Sequence, residues 1–127
     1  MEHKDRRRYP RYETKVEAEI IVSNQKISVT MIDIGAGGIG VISEKAITPG
    51  ANVFISLKLK GNYAIKGKVV WTEYIYDDEK IYYRMGIELD CIILNDIKAI
   101  GFPERAELLV QLLSEIIAQG LKVVEKS

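Results

Sequence analysis

Between residues 15 and 89 apolar side chains recur at every second position in run after run, and no helical period interrupts them. In residues 15–23, Val16, Ala18, Ile20 and Val22 alternate with Glu17, Glu19 and Ile21, the pattern of a half-buried strand that ends at the Asn24-Gln25 turn. Ile27, Val29 and Met31 begin a second strand, while Ile32 and Ile34 point the opposite way, so the strand changes face or is buried on both sides near its end. Beyond the turn signal Thr48-Pro49-Gly50, Val53, Ile55, Leu57 and Leu59 alternate with Phe54, Ser56, Lys58 and Lys60. Gly61-Asn62 makes a tight connection, after which Tyr63, Ile65, Gly67, Val69 and Trp71 share one face, in phase with the core. The acidic loop at residues 77–80 leads to Ile81, Tyr83, Met85, Ile87 and Leu89, with Tyr82, Arg84, Gly86 and Glu88 opposite them; Arg84 reads as a surface charge in preference to an outer contact of a ligand. Strands at hairpin spacing with no helix between them predict an all-β fold: a closed, six-stranded antiparallel β-barrel.

The last segment changes period. Pro103 suits a first helical turn, Glu104 and Glu107 suit the positive end of the dipole, and Leu108, Leu109, Leu112, Leu113, Ile116 and Ile117 repeat at helical spacing until Gly120. This predicts a C-terminal α-helix whose apolar stripe packs on the chain's own barrel, or, in the competing reading, serves a homodimer. The expected organisation is a flexible arginine-rich arm over residues 1–14, a barrel over 15–100, and the helix with its tail over 101–127.

Composition removes several function classes. The chain has 18 basic and 18 acidic residues, so it lacks the positive field of a nucleic-acid binder. Its one cysteine, Cys91, excludes an internal disulfide, and its one histidine, His3, lies in the arm. The sequence therefore predicts no metal site, no cofactor, no catalytic residue and no enzymatic activity. With no apolar run of membrane-spanning length and no leader pattern, it predicts a cytoplasmic protein without membrane insertion.

Two short stretches carry chemistry instead. The arm gathers Lys4, Arg6, Arg7, Arg8 and Arg11 around Pro10, Tyr9 and Tyr12. Alone, such a run reads as a solvated tail. The second stretch, Asp33-Ile34-Gly35-Ala36-Gly37-Gly38, opens on one carboxylate and is followed by Gly40; its glycines form either a sharp corner or a place where a ligand approaches the backbone. Guanidiniums grip phosphate oxygens bidentately and match the O6/N7 edge of guanine, and a carboxylate accepts from guanine N–H groups, so a guanine nucleotide would satisfy both stretches.

In order and separation these motifs resemble the PilZ domain family, which carries RxxxR at the end of an N-terminal arm and [D/N]xSxxG on a six-stranded barrel. Arg7 and Arg11 match the first motif, Asp33 and Gly38 the ends of the second, and Val69-Val70-Trp71 and Arg84-Met85-Gly86-Ile87-Glu88-Leu89 are similar to the family's closing hairpin. The resemblance covers residues 6–90. It implies that cyclic di-GMP is the ligand, that Arg7, Arg8, Arg11, Asp33, Gly35 and Gly38 form the ligand-binding set, and that the arm closes over the ligand to alter a surface read by a downstream protein. Gly35 departs from the pattern, since the motif has serine there. A missing neutral hydrogen bond is worth about 0.5–1.5 kcal/mol, or on the order of three- to tenfold in affinity. The alternative is a domain of the same fold that has lost its messenger and acts through protein contacts alone.

Overall fold

Alternation places one set of side chains inside and one outside along most of each strand in the computed structural model, which describes residues 10–126. The chain forms β1 (Arg11–Val22), β2 (Gln25–Gly35), β3 (Gly38–Ser43), β4 (Asn52–Leu57), β5 (Tyr63–Asp77), β6 (Lys80–Leu94) and β7 (Ile97–Ala99), then α1 (Phe102–Ala118) and β8 (Val124–Lys126). The fold is mostly β with one C-terminal helix, as expected. The antiparallel pairings run β1–β2–β3–β6–β5–β4 and return to β1, so six strands form a ring. The six expected strands are joined by two more of three residues each: β7 on β6 and β8 on β1. β1 also starts at Arg11, so the last residues assigned to the arm are sheet. Their polar side chains concealed the strand.

The interior is filled by the alternating set: Val16, Ala18 and Ile20 from β1, Val29 and Met31 from β2, Ile55 from β4, Ile65 and Val69 from β5, Met85 and Ile87 from β6. Of the register shifts in the sheet, two bear on the site. Register shifts between Met31 and Asp33 against β3, so Met31 and Ile34, three apart, are both core residues. This is the change of face near the end of β2 that Ile32 and Ile34 announced. Register shifts again between Val69 and Trp71 against β6: Val69 opposes Ile87 but Trp71 opposes Gly86. A one-residue slip moves every later side chain to the other face, so Trp71, expected in the core, lies 44% exposed on the outside.

The helix has Pro103 in its first turn and buries Leu108, Leu109, Leu112, Leu113 and Ile116 against the strands, with β6 and β7 as its sheet contacts. Its stripe is thus packed within the chain, with one correction: Ile117 is 57% exposed, because it lies on the solvent-side edge of that stripe. Gly120, at φ 86°, ends the helix: its N–H donates to Ile117 O and that of Leu121 donates to Ile116 O, a double closure that needs a left-handed residue. Leu121 and Val123 then pack against the core, Thr14 Oγ1 donates to Lys122 O at 2.7 Å, and β8 lands on Arg11–Glu13. No helix among the described residues is long and apolar enough to cross a membrane.

Truncating fully buried Leu112 to alanine should cost about 2–5 kcal/mol in urea unfolding, whereas Val110→Ala, on the exposed side, should stay within about 0.5 kcal/mol. Equal, small losses for both would mean that the helix does not pack on the sheet.

Candidate functional site

On the outer face, three neighbouring strands present almost no side chains at one place. Gly38 and Gly40 of β3 lie opposite Glu88 and Gly86 of β6, and Asp33 of β2 opposes Gly40. At Gly38, Gly40 and Gly86 the missing side chains make a low floor onto which neighbouring groups settle directly. Each is required by a neighbour: a Cβ on Gly38 would sit 2.9 Å from Ile87 O, on Gly40 2.9 Å from Asp33 Oδ2, and on Gly86 2.3 Å from Trp71 Nε1. Around this floor is an open cleft of about 320 Å³, walled by Arg11, Asp33 and Lys126 on one side and by Trp71 and Arg84 on the other, with Glu88 at its end.

The two register shifts supply opposite walls. The one in β2 turns Asp33 outward between core residues Met31 and Ile34, and the one in β5 lays the Trp71 indole over Gly86. Asp33 is 5% exposed, and a buried carboxylate requires a cation or donors. Arg11 Nη2 donates to Asp33 Oδ1, and Lys126 Nζ lies 4.0 Å from Oδ2. Across the floor, Arg84 is half-buried, and its Nε finds no hydrogen-bond partner among the described residues. A guanidinium in the same lining as an exposed indole can meet an anion or the edge of a base.

Of the residues singled out in the sequence, Arg11, Asp33 and Gly38 line this cleft, and Gly35 lies behind Arg11 outside the lining. Arg7 and Arg8 lie outside the described residues. Gly35 opposes Arg11 across β1 and β2, and a Cβ on it would stand 3.1 Å from both Arg11 Cγ and Pro10 O. The stem of Arg11 thus lies close over the backbone where the motif's serine would project. Gly40, Gly86, Trp71, Arg84, Glu88 and Lys126 were not assigned to the site. The sequence pattern did place Arg84, Gly86 and Glu88 together on the outer face, a signal that could have found them. Among the described residues no group of three or more His, Cys, Asp or Glu could hold a metal ion.

The sequence matches the model of the PilZ domain family over residues 5–101. No curated protein matches significantly. Among solved structures the chain is similar to the PilZ domain with c-di-GMP of YcgR from Escherichia coli, with TM-score 0.64 and 14% identity over 90% of this chain and 94% of that one. It is also similar to the Bacillus subtilis inhibitor of motility MotI/DgrA, with TM-score 0.60 and 18% identity over 89% of this chain. A third is the K. pneumonia MrkH–c-di-GMP complex, with TM-score 0.59 and 18% identity over 89% of this chain. The chain spans only 52% and 55% of the length of these last two. At these identities the likeness is one of fold.

Trp71 is the chain's one tryptophan, which makes its seat measurable. Gly86→Ala should lift the indole and move its fluorescence emission to longer wavelength with an unchanged far-UV circular dichroism spectrum. An unmoved emission maximum would show that the indole does not rest on Gly86.

Proposed function

The chain belongs to the PilZ domain family, and from that premise we propose that it is a receptor for cyclic di-GMP that acts as an adaptor and not as an enzyme. The observation that carries this reading is the glycine-floored cleft with the Arg11–Asp33 pair on one wall and Trp71 with Arg84 on the other. In the proposal a guanine lies on the floor against the Trp71 indole, Asp33 accepts from its N–H groups, and Arg11 takes a phosphate oxygen or the O6/N7 edge. Gly38 and Gly40 let the ligand meet the backbone. Arg7 and Arg8, from the segment that precedes Pro10, complete the guanidinium set as the arm closes over the ligand. Arg84, which lines the same cleft, is a further cation. The site would lie in the cytoplasm, and no nucleic acid or lipid is part of the proposal.

Closure would change the surface around the cleft, which a downstream protein would then read. The β5–β6 hairpin offers such a surface, since Tyr74, Tyr76 and Ile81 are exposed near its tip. A second reading, a ligand-free interaction domain, is favoured by one observation: Gly35 brings no hydroxyl, and the Arg11 stem crowds its place. The homodimer proposed through α1 would have to use its remaining exposed residues, Val110 and Ile117.

Titration calorimetry with cyclic di-GMP, with GMP and cyclic di-AMP as controls, separates the readings. Selective binding is expected, and Arg11→Ala or Asp33→Ala should weaken it by about tenfold or more, the worth of a charged hydrogen bond of about 1.5–3 kcal/mol. No heat and no thermal shift at high ligand concentration would sink the receptor reading.

A further inference from the structure

We infer that Lys126 is a third cation of the ligand site, delivered by the C-terminal strand to bind the phosphodiester of the dinucleotide. This rests on the reading of the cleft as a cyclic di-GMP site. β8 pairs with the start of β1 in the register Arg11↔Lys126, Tyr12↔Glu125 and Glu13↔Val124. Residues directly opposite on an antiparallel pair share a face with their Cβ atoms about 4.5–5.5 Å apart, and like charges so placed repel. Arg11 and Lys126 are such a pair, and both line the cleft.

What lies between them is Asp33. Arg11 occupies its Oδ1, and Lys126 stands 4.0 Å from its Oδ2, at the limit of an ion pair. Lys126 is also 4.0 Å from Glu13 Oε2, but the Glu13 side chain is 60% exposed, where solvent and salt screen the attraction. One buried carboxylate thus serves two cations and leaves a positive charge uncompensated at the cleft. With Arg84 and Glu88 included, the lining holds three cations against two carboxylates. A compact ammonium on a flexible stem, held loosely by its carboxylate, suits the oxygen of an entering phosphate.

The return strand is built to put it there. The Gly120 reversal, the packing of Leu121 and Val123 and the Thr14–Lys122 hydrogen bond set the path of residues 120–126. That path lies wholly outside residues 5–101, the stretch matched by the family model. The lysine therefore comes from outside the stretch that the family model matches, and in this inference it offsets the hydroxyl that Gly35 lacks.

The test is titration of the full chain with cyclic di-GMP at low and high salt, for the wild type, Lys126→Met and Lys126→Arg, with thermal melting of each. Lys126→Met keeps the aliphatic stem and should weaken binding about tenfold with a flatter salt dependence, while Lys126→Arg stays near wild type. Because Lys126→Met also relieves the repulsion on Arg11, its melting temperature should hold or rise. A wild type that binds, with Lys126→Met binding equally and with the same salt slope, overturns the inference and leaves the receptor reading standing. A lowered melting temperature with unaltered affinity assigns Lys126 to holding β8 and likewise overturns it. A wild type that does not bind overturns the receptor reading and this inference with it.

Discussion

A ring of antiparallel strands can be filled only from its inner face, and the structure depends on that restriction. Each strand must devote one side chain in two to the interior, which here means Val16, Ile20, Met31, Ile55, Ile65, Met85 and Ile87. The outer face carries no such obligation. Glycines unaffordable in the core can gather there, as Gly38, Gly40 and Gly86 do. Where the ladder slips by one residue, a side chain of the inner set can be turned out. Both slips that border the glycine floor do this, one delivering Asp33 and the other Trp71.

This explains which parts of the molecule were legible in the sequence. The strands with unbroken alternation, residues 16–22 and 53–57, could be read directly, as could the helix, whose period differs from everything before it. The glycine run and its carboxylate were legible as a pair with Arg11 because their residue types are unusual for a strand. Trp71 was not, because a bulge leaves the residue type unchanged and alters only its phase; Val69-Val70-Trp71 reads as continuous strand. β8 was hidden for another reason. Val124-Glu125-Lys126 is too short to show a period, and it is strand only because β4 pairs with residues 18–21 of β1 and leaves the edge at Arg11–Glu13 open. Lys126, being carried by that strand, was invisible with it.

The electrostatics of the cleft are local in a chain that is neutral overall. Arg11, Arg84 and Lys126, from β1, β6 and β8, meet Asp33 and Glu88 there and leave a small local excess of positive charge. The same region is tied to the helix. Arg105, buried at the start of α1, donates to Leu89 O at 2.6 Å and stacks on the Phe102 ring, 4.2 Å from its centroid. Phe102 reaches to within 3.6 Å of the Cβ position of Gly37, and Gly37 O accepts from Leu89 N–H. The glycine turn, Leu89 of β6 and the first turn of the helix therefore meet in one packed cluster.

The placement of β8 also sets an order of assembly. A chain emerging from the ribosome presents β1 first, and β2 can pair with it at once, but the remaining edge at Arg11 finds its partner only when residues 124–126 have been made. The nascent chain can thus pair all six strands of its ring before Lys126 is placed beside Arg11 and Asp33. Lys126 joins the cleft only after β8 has docked on β1.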